Sequence, residues 1–197
     1  MVKILAINGS YRLGGIIDQA VSAAIESARA AGAEVEYVTL RDYPIEFCLN
    51  CRACMQKPSE EPDRCVIHDG MAELIAKIEA ADGYILASPT NYYTVTAIYK
   101  RFLERTVVYG YWPWGTGAPV NRKAKQLKKA VLIASSAMPS FMGRLMTSTL
   151  RLLKATAEVF GAKSTGSLYL GMIALRENQK LSEKELQKAY ALGRKVV

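Results

Sequence analysis

Five short apolar runs alternate with stretches of helical period along the chain. "VKILAIN" (2–8) is continuously apolar, rich in β-branched residues and stopped at Gly9, as in a strand buried on both faces. "EVEYVTL" (34–40) alternates as a second strand. "GYILAS" (83–88), stopped by Pro89, "AVLIASS" (130–136) and "KSTGSLYLG" (163–171) complete the set. Between the first two, Ile16, Ala20, Ala23, Ala24 and Ala28 recur at helical spacing, and Gly32 ends the helix. Helices are also predicted over 70–81, 94–108, 142–160 and 182–197, the last opened by a Ser182/Glu185 capping box. The Pro- and Gly-punctuated stretch 109–129 reads as a long loop. Strands that alternate with helices and are mostly apolar throughout predict one α/β domain, a five-stranded parallel sheet covered on both faces. In such sheets ligands sit beyond the carboxyl ends of the strands, which directs attention to loops 9–16, 89–94 and 135–143.

Length and composition add limits. A chain of 197 residues, 50% hydrophobic and 22% charged, suits a single domain spanning 1–197. No apolar run approaches a membrane span, and "MVKILAINGS" does not read as a signal peptide, so the expectation is a cytoplasmic protein without a membrane partner. The charge is uneven: residues 1–98 carry a net −5 and residues 99–197 a net +13. That is either a solvated basic face or a surface that attracts an anion such as a nicotinamide dinucleotide phosphate. No nucleic-acid-binding motif accompanies it.

Three stretches carry candidate chemistry. "NGSYRLGGIID" (8–18) joins the first strand to the first helix; glycines and a helix N-terminus suit a phosphate, with Ser10 and Arg12 as side-chain donors. It is neither a P-loop nor a GxGxxG fingerprint, and tight turns also use glycine for structure alone. "SPTNYY" (88–93) places a proline, small polar residues and two aromatics at a strand end. All four cysteines, Cys48, Cys51, Cys54 and Cys65, fall in one loop at 44–66. Three cysteines at two-residue gaps with a remote fourth suit an iron–sulfur cubane; a tetrahedral zinc or four plain thiols are the alternatives. The lone His68 reads as structural. No Ser-His-Asp set, HExxH or carboxylate pair with a clear role is present.

"KILAINGSYRLGG…DQAV", "ADGYILASPTNYYTVTAIYKRFLER" (81–105) and "KKAVLIASSAMPSFMGR" (128–144) together resemble the NADPH-dependent FMN reductases, including iron–sulfur flavoproteins, of the flavodoxin-like fold. The resemblance implies a three-layer α/β/α sandwich and FMN as cofactor, with NAD(P)H as co-substrate. Electrons would pass to a quinone, flavin, metal or other small acceptor. Gly9, Ser10, Arg12, Gly14 and Gly15 match the family's phosphate loop, followed by Ile16 and Ile17 where the family usually has a polar pair. Ile17 lacks the usual hydroxyl but keeps its backbone N–H. Pro89, Thr90, Asn91, Tyr92 and Tyr93 would seat the flavin ring, Thr90 and Asn91 by polar or backbone groups and a tyrosine by stacking. Ser135 and Ser136 would close its far side. By the same analogy the chain forms a homodimer or homotetramer, and the four cysteines hold a 4Fe–4S cluster, although the ten-residue gap before Cys65 is longer than the family's. The alternatives are an FMN/iron–sulfur electron carrier serving protein partners, and a flavodoxin-like module that has lost its flavin. The "YGYWPWG" run (109–115) reads as a partner surface, a lid over the flavin, or loop packing.

Overall fold

The computed structural model describes residues 1–197. Strands β1 (Lys3–Asn8), β2 (Glu34–Thr39) and β3 (Gly83–Pro89) come from the first half of the chain; helices α1 (Ile16–Ala30), α2 (Met71–Ala80) and α3 (Ala97–Arg105) follow them. A two-residue ribbon, β4 (Gly110–Tyr111) and β5 (Val120–Asn121), precedes β6 (Lys128–Ser135), α4 (Ser140–Met146), α5 (Thr149–Val159), β7 (Ala162–Leu170) and α6 (Glu183–Gly193). The main sheet has five parallel strands in the order β2-β1-β3-β6-β7.

The continuous apolar runs of β1, β3 and β6 are buried on both faces, as their patterns require. One face packs Leu5, Ile7, Tyr84, Leu86 and Leu132 under Leu74, Ile78, Phe102, Leu153 and Phe160 of α2, α3 and the end of α5. The other packs Ile4, Ala6, Ile85, Val131 and Ile133 under α1 and α6. Chain order reverses between β1 and β3, so the loops after these two strands diverge and leave a crevice at the carboxyl edge.

Three expectations need correction. The helix predicted over 142–160 is two helices, because Thr147 is extended (φ −113°, ψ 153°). Gly143 of α4 lies against the Tyr169 ring, where a Cβ would come within 2.4 Å of a ring carbon, so α4 packs along β7 instead of running on into α5. The helix predicted over 94–108 begins at Ala97, where the Thr96 side chain accepts from the Tyr99 N–H, and it tightens to a 3-10 turn at Thr106–Tyr109. The predicted loop 109–129 contains the β4–β5 ribbon. The Ser182/Glu185 capping box is present. No helix is long and apolar enough to cross a membrane.

α1 and α6 approach so closely that a Cβ on Gly193 would stand 2.0 Å from the Ala24 carbonyl oxygen. Backbone cannot swing aside as a side chain does. Gly193→Ala is therefore expected to destabilise the fold by about 1–3 kcal/mol in urea unfolding. Gly117→Ala, which meets nothing within 4 Å, should change stability little.

Candidate functional site

The first loop leaves β1 at Asn8 and enters α1 at Ile16. Gly9 lets the chain pass Tyr99, which a Cβ would overlap at 2.7 Å, and Gly14 takes a left-handed turn (φ +67°). The Thr96 hydroxyl donates to the Gly9 carbonyl at 2.6 Å, and the Ile98 N–H donates to the Tyr11 hydroxyl at 3.0 Å. Both contacts tie this loop to the start of α3. Gly15 caps α1 without a side-chain acceptor, and the N–H groups of Ile16 and Ile17 make no hydrogen bond. Free N–H groups at the positive end of a helix are an anion site.

These groups border a cavity of about 260 Å³ lined by Ser10, Tyr11, Arg12, Gly15, Ile16 and Ile17 on one side. Pro89, Thr90, Asn91, Ser135, Ile173 and Ala174 line the other. A second cavity of about 260 Å³ adjoins it along Arg12, Gly15, Ile16 and Ile173 and continues past Gly14 to Lys180. Within the first, the Ser135 hydroxyl is buried and has no hydrogen-bond partner. A buried hydroxyl left unpaired costs about 1–3 kcal/mol, so its position on a cavity wall fits a polar ligand. A flat ligand with an anionic tail matches this set: unpaired N–H groups and Arg12 at one end, Ser135 and the Pro89–Asn91 turn at the other.

Not every expected residue faces the cavity. Gly9 lies behind it against Tyr99 and shapes the turn. Gly14 lines only the second cavity. Ser136 is used within the chain: its N–H donates to the Leu170 carbonyl and its hydroxyl to the Met138 carbonyl at 3.3 Å. The Ile17 side chain is 2% exposed and belongs to the apolar cluster under α1. The turn after β3 also departs from expectation. The Thr90 N–H is spent on the Ser135 carbonyl and the Asn91 N–H on the Thr94 carbonyl. The Thr90 hydroxyl pairs with those of Thr149 (2.7 Å) and Tyr169 (3.0 Å). Tyr92 and Tyr93 both have positive φ (48° and 63°), and their own N–H groups are the unpaired ones. Tyr92 is 99% exposed, so in this arrangement it stacks on nothing. Tyr11, Ile173 and Ala174 were missed. The last two sit at the carboxyl end of β7, which the topology rule points to but residue type does not.

The cysteine loop is held by three arginines. Arg105, 1% exposed, pairs with Asp69 (2.6 Å) and donates to the Glu46 carbonyl at 2.8 Å. Arg122, 9% exposed, donates to the carbonyls of Cys54, Lys57, Ser59 and Val108. These bonds fold the ten-residue gap back on itself. Arg52 has its guanidinium 3.7 Å from the Trp112 ring centre and 4.2 Å from that of Trp114. The "YWPW" run is thus packing for the cysteine loop. Asn50 and Ile67 direct their N–H groups at the sulfurs of Cys48 (3.4 Å) and Cys65 (3.5 Å). Burial, then the nearby Cys65, Cys48 and Cys51, pushes the Cys54 thiol up to about 11.

The two-residue gaps predict that Cys48, Cys51 and Cys54 gather, yet no three metal-binding side chains stand close enough to hold an ion. Cys54 is buried at the 3-10 turn Ala53–Met55, whereas Cys51, just before the left-handed Arg52 (φ +58°), is exposed. The sulfurs as placed do not form the coordination set of a cluster. His68 is exposed, as its structural reading allows.

Residues 2–179 match the family described as NADPH-dependent FMN reductase. The chain belongs to that family. An iron–sulfur flavoprotein of Archaeoglobus fulgidus is 31% identical over 195 residues, which is 99% of this chain and 79% of that protein. One from Methanosarcina thermophila is 35% identical over 107 residues, 54% of this chain and 53% of its own. Among solved structures, azoreductase AzrA superposes with a TM-score of 0.70 at 13% identity, covering 98% of this chain and 100% of its own. An NAD(P)H:quinone oxidoreductase from Methanothermobacter marburgensis gives 0.67 at 20%, covering 98% and 94%. The fold is flavodoxin-like. The chain is an NAD(P)H-dependent FMN oxidoreductase, and the orphan Ser135 hydroxyl and unpaired helix N–H groups fit FMN.

Burial alone raises the Asp69 carboxyl, but bonds from Arg105 and from the Glu46 and Met71 N–H groups outweigh it and hold Asp69 below the usual carboxylate range. A depressed folded-state pKa stabilises above the unfolded value, about 3.9. That stability is lost as pH falls through the folded pKa. Asp69→Asn should cost about 3–5 kcal/mol at neutral pH by stranding Arg105. It should also flatten the acid limb of the stability–pH curve, read by denaturant unfolding from pH 7 to 2.

Proposed function

We propose that FMN lies across the carboxyl-edge cavity, its phosphate in the 9–17 loop and its ring against 89–93 and Ser135, and that the protein passes electrons from NAD(P)H to a small acceptor. That acceptor is a quinone, a free flavin, a metal ion or another small molecule. The observation that carries the reading is one cavity bordered by Arg12 and the unpaired Ile16 and Ile17 N–H groups, with the unpaired Ser135 hydroxyl buried in its wall. Bound FMN supplies the hydride and electron chemistry itself, so no acid–base side chain is required. The chain's part is to bind and orient. Ser10, Arg12 and the α1 N–H groups take the phosphate. Pro89 and Ile173 offer apolar walls, while Asn91, Ser135 and the unpaired N–H groups of Tyr92 and Tyr93 serve the ring's polar edge. Exposed Tyr92, Phe141, Leu145 and Met146 at this rim support a homodimer or homotetramer that covers them.

A second reading, an electron carrier with a 4Fe–4S cluster beside FMN, is favoured by the N–H···S bonds at Cys48 and Cys65, the arginine-braced loop and the names of the sequence relatives. It requires the sulfurs to converge from their present positions. Iron and sulfide analysis of anaerobically reconstituted protein decides it: fewer than about one iron per chain removes it.

The first reading expects a yellow protein that binds FMN and oxidises NADPH or NADH steadily with a quinone present. Colourless protein with no FMN affinity would leave the flavin-free module. Ile17→Thr should tighten FMN by up to about 1.5–3 kcal/mol if its hydroxyl reaches the phosphate. The same change should lower apoprotein stability by about 1 kcal/mol or more, because it puts a hydroxyl in an apolar cluster. Calorimetric titration and thermal melting read the two effects separately.

A further inference from the structure

Beneath the first loop lies a buried polar network outside the proposed flavin contacts. Asp18, in the first turn of α1, is 8% exposed. Its Oδ2 accepts from the Gly14 N–H at 2.7 Å and its Oδ1 from the Asn8 side-chain amide at 2.6 Å. The Asn8 amide oxygen in turn accepts from the Ser10 N–H at 2.8 Å, and its nitrogen also reaches the Tyr37 hydroxyl at 2.8 Å. One carboxylate and one amide therefore fix the loop at both ends, Ser10 on the β1 side and Gly14 at the left-handed turn. Arg41, just beyond β2, sets its Nη1 3.8 Å from Asp18 Oδ2 and donates to the Ser10 carbonyl at 3.4 Å.

The arrangement carries an apparent contradiction. A buried carboxylate occupies the same helix turn whose free N–H groups are offered to an anion, and two negative charges there repel. Arg41 resolves it by balancing Asp18 locally, while both carboxylate oxygens stay engaged with N–H donors. With Gly14 satisfied by Asp18, the N–H groups of Ile16 and Ile17 are left for the ligand.

We infer that Asp18, charge-balanced by Arg41, is a positioning residue that holds the 10–15 loop in its phosphate-binding shape and thereby selects a phosphorylated flavin over an unphosphorylated one. The inference rests on the FMN placement proposed above. Neither residue touches the ring.

The test compares FMN with riboflavin, which lacks the phosphate, by calorimetric titration of apoprotein. Wild type should prefer FMN, and inorganic phosphate should compete with FMN but not with riboflavin. Asp18→Ala should weaken FMN roughly ten- to a hundredfold, the loss of one or two charge-assisted bonds, with riboflavin changed less than about threefold. Asp18→Asn should act in the same direction, because an amide can accept from only one of the two donors and presents its NH₂ to the other. Arg41→Met, which leaves Asp18 unbalanced, should also weaken FMN selectively, and it serves if the Asp18 variants do not fold. Equal weakening of both flavins, or no weakening, overturns the inference while leaving the FMN placement intact. A wild type with no preference for FMN over riboflavin overturns the placement itself.

Discussion

The first N–H groups of a helix have no partners within it, and where a short loop brings that helix from the end of a buried strand the rest of the architecture must accommodate them. The five-stranded sheet delivers Asn8 to the carboxyl edge inside apolar surroundings. Water cannot fully serve the donors that follow, so side chains or a ligand must. The chain divides them. Asn8 and Asp18 satisfy Ser10 and Gly14, and the helix turn itself remains available. Placing α3 against the same loop, through Thr96 and Gly9, makes the geometry of the turn depend on both sides of the strand-order reversal.

The second organising device is buried guanidinium. The basic bias of the second half of the chain invites a reading as a solvated or anion-steering surface, yet Arg105 and Arg122 point inward and bind backbone carbonyls. Guanidinium suits this because its planar fork can reach several carbonyls at once. A loop of 44–66 with little regular structure gains from the second half of the chain the partners it cannot find within itself.

Much of the fold was legible because apolar runs bounded by Gly and Pro report burial directly. All five strands of the main sheet follow from "VKILAIN" and its counterparts. The break between α4 and α5 was not legible, because it depends on how Gly143 meets Tyr169, a contact between residues far apart in the chain. In the site, Ser10, Arg12 and Asn91 could be read from residue type and place. Ile173 and Ala174 could not, since nothing in "GMIAL" marks a binding wall. The direction of the donors was equally hidden. "SPTNYY" suggests a turn, but only the backbone shows that Thr90 and Asn91 spend their N–H groups internally while Tyr92 and Tyr93 keep theirs. The cysteine spacing suggested convergence, but it does not carry the burial that the fold imposes, which leaves Cys51 exposed and covers Cys54.

Arg122 also dictates a sequence of events. Its bonds to Cys54, Lys57 and Ser59 reach back more than sixty residues, so they close only after the chain through β5 has been synthesised. Contacts of such separation form late, because loop-closure entropy precedes their reward. Until then Cys54, Lys57 and Ser59 lack these anchors. Docking of the 109–122 segment therefore withdraws Cys54 alone: its thiol is open to reagents in solution only before that step, whereas Cys51 stays exposed in the folded chain.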